Sequence, residues 1–313
     1  MLTVGVDVGG TSVRAAVVDE HGEVLQTHRV RTPGTGDELN TAIAETVRVL
    51  SDRYPVTGVG LAVAGFVSED LRVVRFAPHL AWRHVAVADE LAARLGLPVV
   101  LEHDANAAAV AEQRFGTAVG ARVMTLVAIG TGIGGALVIG GDVYRGAHGV
   151  APELGHLRLV PDGRRCPCGK RGCWERYCSG TALAATAMQL RGRESSSLPA
   201  EPTGFEVARA AETGDPVALR AVDELAHWLG EGLALVADVY DPEVVVISGG
   251  VSDSAHLFLD KAREHYAAAV TGAGHRPLAQ VRVAHHGDPA AMIGAAAIAR
   301  EHVVNGPKVL RGR

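Results

Sequence analysis

Two stretches decide the fold. The first is Val4-Gly5-Val6-Asp7-Val8-Gly9-Gly10-Thr11-Ser12-Val13-Arg14; the second is Leu126-Val127-Ala128-Ile129-Gly130-Thr131-Gly132-Ile133-Gly134-Gly135-Ala136. In each, an apolar run breaks at a turn of glycine and threonine and then resumes. Leu2–Val8, the turn Gly9-Gly10-Thr11 and Val13–Val18 lead through Glu20-His21-Gly22 into Glu23–Val30. Val123–Ile129, the turn Gly130–Gly135 and Ala136–Ile139 lead into Gly140-Gly141-Asp142. Short apolar runs bounded by glycine read as buried strands. The order strand, turn, strand, hairpin thus occurs twice, at the spacing of a domain rather than of a solenoid repeat. It predicts two similar α/β halves facing each other across a cleft, with a glycine turn from each lining it.

Outward from the first copy, Leu39, Ile43, Val47 and Leu50 give Asp37–Arg53 helical spacing, and Val56–Val63 reads as a buried strand. Val85–Leu95 is amphipathic, Pro98–Glu102 is a short apolar strand, and Asn106–Phe115 returns to helix. Outward from the second copy, Asp215–Tyr240 reads as a long helix and Glu243–Ser248 as a strand ending in Gly249-Gly250. Ala255–Ala269 reads as helix, Leu278–Ala284 as strand and Pro289–Glu301 as an alanine-rich helix, while Arg191–Gly204 reads as an exposed loop. A domain change is expected near Gly116–Gly120. Residues 1–118 would form a smaller N-terminal α/β domain and 119–288 a larger C-terminal one, with helix 289–301 packing back onto the first.

Composition narrows the function. A chain of 313 residues suits about two domains, and 48% hydrophobic with 21% charged residues excludes wholesale disorder. A net charge of −5 offers no basic field for nucleic acid. The opening Met1-Leu2-Thr3-Val4 carries no basic leader, and no apolar run approaches the roughly 18 residues of a membrane span. A cytoplasmic protein acting on a small molecule, with no membrane or nucleic-acid partner, is expected.

Glycine supplies 38 residues, an excess that the two turns begin to explain. A glycine turn after a buried strand points backbone N–H groups at phosphate oxygens, to which Thr11 or Thr131 adds a hydroxyl and Arg14 a charged clamp. Neither turn is a Walker A loop, because no Gly-Lys-Ser/Thr follows; neither is a dinucleotide fingerprint, because a strand rather than a helix follows Gly130–Gly135. Taken singly, each also fits an ordinary β-turn. His103-Asp104-Ala105-Asn106 stands where a strand ends and a helix starts. Asp104 there is by default an N-cap, and the helix dipole also favours its ionised form at a cleft.

All four cysteines fall between Cys166 and Cys178. A disulfide framework is a poor explanation in so long a chain without a leader, so a metal site is expected. Cys166, Cys168 and Cys173 sit on a glycine-bearing knuckle, and soft thiolates with one further ligand suit structural Zn²⁺. That fourth ligand is either His156 or Cys178.

Asp7–Thr11 with Arg14, the Gly130–Gly135 turn, Glu153-Leu154-Gly155-His156 and the cysteine cluster stand in the order and spacing of the ROK family (repressors, open reading frames and kinases). Along its whole length the chain resembles the bacterial glucokinase branch of those sugar kinases. The resemblance implies the duplicated hexokinase/actin-like, ribonuclease-H-like two-domain fold with a central cleft. ATP and Mg²⁺ would sit in that cleft with a sugar beside the γ-phosphate, its 6-hydroxyl being the usual acceptor. The family's catalytic base falls on Asp104. Its sugar contacts fall on Gly65, His79, His103, Glu153, His156 and Glu175, and Asp104 itself. Nucleotide contacts fall on Asp7, Gly9, Gly10, Thr11, Ser12, Arg14, Thr131, Gly132, Gly249 and Gly250. Structural Zn²⁺ would take His156, Cys166, Cys168 and Cys173, leaving Cys178 outside, and a homodimer is the family's expected state.

Two positions depart from that pattern. His103 and His79 stand where the family usually has asparagine on the sugar side. Neutral histidine keeps one donor and one acceptor in a larger ring. Glucose therefore remains one expected acceptor; another hexose, an amino sugar or a cyclitol is the other. Histidine beside the base titrates near neutrality, so activity is expected to fall as pH drops through about 6.5. A sugar-responsive regulator is the lesser alternative, because only Met1–Val6 precede Asp7 and no helix-turn-helix domain fits there. Polyphosphate as donor stays open, although the Gly249-Gly250 turn resembles the nucleotide-side turn of the family.

Overall fold

The first eight residues set up everything else. In the computed structural model, which describes residues 1–191 and 195–306, Leu2–Val8 forms β1, with Val4, Val6 and Val8 fully buried. The chain divides into two compact units. One takes in Met1–Gly120, Leu137–Pro152 and the segment from Asp288; the other takes in Ala121–Ala136 and Glu153–Gly287.

In the first unit, β1, β2 (Ser12–Val18) and β3 (Val24–Arg31) form an antiparallel meander. Parallel strands need crossover helices. α1 (Gly36–Ser51) leads to β4 (Val56–Val63), which pairs parallel with β1. The short strands β5 (Phe66–Val67), β6 (Val74–Phe76) and β7 (Arg83–Val85) make a separate antiparallel sheet. α2 (Val87–Leu95) then leads to β8 (Val99–His103), parallel to β4, and α3 (Asp104–Phe115) follows without a loop. The main sheet runs β3-β2-β1-β4-β8.

The second sheet is built from β9 (Val123–Ile129), β10 (Ile133–Ile139) and β11 (Asp142–Val143). In the second unit α4 (Gly180–Leu190), α5 (Gly204–Glu212) and α6 (Pro216–Tyr240) precede β12 (Val244–Ser248); α7 (Leu259–Ala269) precedes β13 (Gln280–Val283). Strand order is β11-β10-β9-β12-β13, the order of the first sheet repeated. Leu225, Leu229 and Leu233 of α6 share a core with Val245 and Ile247 of β12. α8 (Ala290–Asn305) closes the described chain in the first unit and lies on β1. Gly5 makes that approach possible: a Cβ there would stand 1.8 Å from the Met292 carbonyl oxygen.

The structure bears out the duplicated α/β halves and shifts several boundaries. β10 starts at Ile133, so Gly134 and Gly135 belong to a strand rather than to the turn. The helix read over Ala255–Ala269 is a 3-10 segment, Gly250–Leu257, followed by α7. β5, β6 and β7 escape periodicity because strands of two or three residues are too short to show alternation. Part of the loop read over Arg191–Gly204, residues 192–194, lies outside the described residues. The rest is not simply exposed. Leu198 is buried, and the Ser196 and Ser197 hydroxyls donate to Asp215. Among the described residues, no helix is long and apolar enough to cross a membrane.

Candidate active site

Asp7 and Arg14 are register partners on β1 and β2, which puts their side chains on one face. Arg14 gives Nη2 and Nε to Asp7 Oδ2 at 2.6 and 3.1 Å, and Nη1 to Asp288 Oδ2 at 2.9 Å. Both ends of the guanidinium fork are thus engaged by carboxylates. Burial pushes the Asp7 carboxyl above its usual range; Arg14 opposes that, and the charges of Asp104 and Asp288 add to it. The turn beyond β1 closes through Gly9 N–H to Ser12 O at 3.1 Å. Thr32 pins it from the end of β3, its hydroxyl donating to Gly9 O at 2.6 Å. Thr11 and Gly10 remain exposed.

Asp104 opens α3. Its N-cap is His103, which makes no side-chain cap bond, so the N-cap reading of Asp104 is wrong by one residue. The backbone turns helical directly after β8, and Asp104 becomes the first helical residue. Its Oδ1 accepts the Ala105 N–H at 2.7 Å, and the His103 ring brings Nε2 to 3.3 Å from the same oxygen. The carboxylate is 39% exposed. His79 lies against the first glycine turn, where a Cβ on Gly10 would meet its own Cβ at 3.0 Å. Gly65, just beyond β4, donates its N–H to Val63 O.

In the second unit the turn after β9 closes through Gly130 N–H to Gly132 O at 2.9 Å, one residue tighter than the first turn. Glu175 lies on it: a Cβ on Gly132 would stand 2.5 Å from Glu175 Oε2. Glu175 also meets the cysteine knuckle, accepting from Cys166 Sγ at 3.0 Å. The ligand atoms of His156, Cys166, Cys168 and Cys173 all lie within 4.8 Å of one another. Cys168 and Cys173 sulfurs are 3.6 Å apart, and His156 Nδ1 is 3.8 Å from Cys166 Sγ. A tetrahedral ion with metal–sulfur bonds of about 2.3 Å needs ligands separated by roughly 3.8 Å, so these four groups fit one. Cys178 is not among them. It is fully buried in the core beside Trp174, and burial alone pushes its thiol up. His156 turns its other nitrogen, Nε2, toward Glu153 Oε2 at 4.0 Å.

Beside the second turn lies a pocket of 740 Å³, lined by Gly130, Thr131, Gly180, Phe205, Gly250 and Leu257 among others. Gly249 is held at φ 83°, which lets the chain turn out of β12 into the pocket wall. Sequence reasoning found Thr131 and Gly250 but missed Gly180, Phe205 and Leu257. α4 and α5 bring the first two there, and no motif marks either helix.

The ROK family model matches residues 3–302. The chain belongs to the ROK family. Among ROK relatives, the glucokinase of Streptomyces coelicolor is 43% identical over 310 residues, covering 96% of this chain and 98% of that one. The crystal structure of a ROK family glucokinase from Streptomyces griseus in complex with glucose and AMPPNP superposes with a TM-score of 0.86 at 42% identity. It covers 96% of this chain and 100% of its own. The ROK hexokinase of Thermus thermophilus superposes with a TM-score of 0.82 at 34% identity over 98% of this chain and 100% of that one. The fold is therefore the hexokinase/actin-like two-domain α/β fold of the ROK sugar kinases.

Proposed function

We propose that this chain is an ATP-dependent glucose kinase that moves the γ-phosphoryl group of ATP to a glucose hydroxyl, the 6-hydroxyl, with Asp104 as general base. It is a phosphotransferase with an alcohol acceptor, as its likeness to ROK glucokinases over nearly the whole of both chains supports. One observation carries the finer reading. Asp7 stands near the end of β1 and Asp104 just beyond β8, with β4 between the two strands, but Arg14 is spent on Asp7, and no Lys or Arg pairs with Asp104 among the described residues. Environment divides the two roles. Asp7 is 16% exposed and clamped by Arg14, whereas Asp104 is 39% exposed and open to take the hydroxyl proton as the oxygen attacks phosphorus. The amides of the two glycine turns would cradle phosphate oxygens. Mg²⁺, bound with the nucleotide near Asp7, would neutralise charge on the transferring group.

The donor reading rests on the 740 Å³ pocket. Its walls include Leu183, Phe205, Leu225 and Leu257, and among the described residues no Lys or Arg lines it. Such walls suit a nucleoside base; a polyphosphate chain would need cations there. In the second unit, Glu153 and Glu175 offer acceptors and the Nε2–H of His156 a donor for sugar hydroxyls, and a polar group left unpaired rejects analogues lacking that hydroxyl. Zn²⁺ on His156 Nδ1, Cys166, Cys168 and Cys173 would hold those groups in place. A second acceptor reading, another hexose, an amino sugar or a cyclitol, rests on His103 and His79 alone.

A coupled ADP-release assay tests the proposal with ATP or polyphosphate and a panel of hexoses, amino sugars and cyclitols. Glucose with ATP should turn over fastest. A faster cyclitol or amino sugar would replace the acceptor, and no turnover with any acceptor from either donor would overturn the kinase reading.

A further inference from the structure

One buried carboxylate lies outside the roles assigned so far. Glu102 is the penultimate residue of β8 and only 2% exposed, two positions before Asp104. A carboxylate at that depth needs full compensation. Arg145, just beyond β11, supplies the charge, giving Nη2 and Nε to Oε2, the latter at 3.0 Å. The other oxygen, Oε1, accepts the backbone N–H of His103 at 3.0 Å and Nδ2 of Asn106 at 2.9 Å. Arg145 is itself anchored, donating Nη1 to Val143 O at 3.3 Å. Glu102 therefore grips the residue before Asp104 and the residue two after it.

We infer that the Glu102–Arg145 pair positions the base: it fixes the first turn of α3 and so the place and basicity of the Asp104 carboxylate. Well-packed apolar residues of like volume often stabilise a fold as much as a buried ion pair does. What apolar residues could not supply is the grip on His103 N–H and Asn106. The inference rests on the reading of Asp104 as general base. The charges that face Asp104 are His103 from its own segment, Asp7 from β1, and behind Asp7 both Arg14 and Asp288. To these the intact Glu102–Arg145 pair adds no net charge; either partner alone adds one.

That difference provides the test. Glu102→Gln keeps the shape and leaves the Arg145 cation uncompensated. The acid limb of kcat against pH should then move down by about one unit, because an added cation favours the deprotonated form of the groups near it. kcat should fall roughly ten-fold while KM for glucose changes little, because the acceptor still binds but the base is misplaced. Adding Arg145→Gln restores neutrality, and the limb should return to its original position. Arg145→Lys keeps the charge without the fork, so kcat should fall with the limb unmoved. Thermal melts on each variant separate these effects from unfolding. Asp104→Asn is measured alongside. Activity surviving Asp104→Asn would remove the base reading and this inference with it. An inactive Asp104→Asn together with an immobile limb in Glu102→Gln would overturn the positioning role alone.

Discussion

Asp104 differs from Asp7 in its neighbours, not in its chemistry. Arg14 closes on Asp7, while Asp104 has the His103 ring at 3.3 Å and solvent over more than a third of its carboxylate. A proton on that ring would put a cation beside Asp104. His103→Asn, which removes the ring but keeps a donor and an acceptor, should therefore change how activity with glucose depends on pH. An identical pH profile in His103→Asn would exclude the ring from the surroundings of Asp104. At this scale the sequence was partly legible. Asp104 and the knuckle cysteines stand out because unusual residue types meet at fixed short spacing. Glu102 and Arg145 do not, because their pairing spans the gap between β8 and β11 and no local pattern signals a partner so far along the chain.

At the scale of elements, helix ends show how local chemistry is built into the fold. Asp215 caps α6, its Oδ1 accepting from Val217 and Ala218 N–H at 3.0 Å, while Oδ2 takes Ser197 N–H at 2.6 Å. Burial would raise its pKa, but the amides of Ala218 and Ser197 and the two serine hydroxyls outweigh that and hold it at about 2. A carboxyl depressed on folding stabilises above its unfolded pKa and loses that contribution as pH falls. Asp215→Ala should thus cost about 1–2 kcal/mol at pH 7, read by urea unfolding, and the gap should close between about pH 4 and 2. A gap constant with pH would contradict the cap's ionic character. The knuckle carries the second expectation. Metal analysis should find one zinc per chain, lost in Cys173→Ser and kept in Cys178→Ala; zinc retained without Cys173, or lost without Cys178, would redraw the ligand set. β1, β4 and β9 end where the sequence places them, since buried strands bounded by glycine leave little latitude. α4 and α5 were not foreseen: the alanine-rich α4 has no polar face to give it period, and its tertiary packing on α6 defines it.

Across the whole molecule, duplication is the feature that sequence exposed most fully. Two strand–turn–strand runs became two sheets of matching order, each with a glycine turn closed by a short-range backbone bond from its first glycine. What duplication leaves open is the division of labour. In the first unit the turn stands with Asp7, His79 and Asp104; in the second it adjoins the apolar pocket, the knuckle and Glu175. That pocket was not legible, because helices from separate parts of the chain assemble its walls. The central claim is phosphoryl transfer from ATP to glucose with Asp104 taking the proton, and ADP release measured with both substrates tests it most directly. Wild-type protein should release ADP only when glucose is present. Asp104→Asn, folded by its melting curve, should be slower by about 10²–10⁴-fold. Glucose-dependent ADP release at an undiminished rate from Asp104→Asn would contradict it.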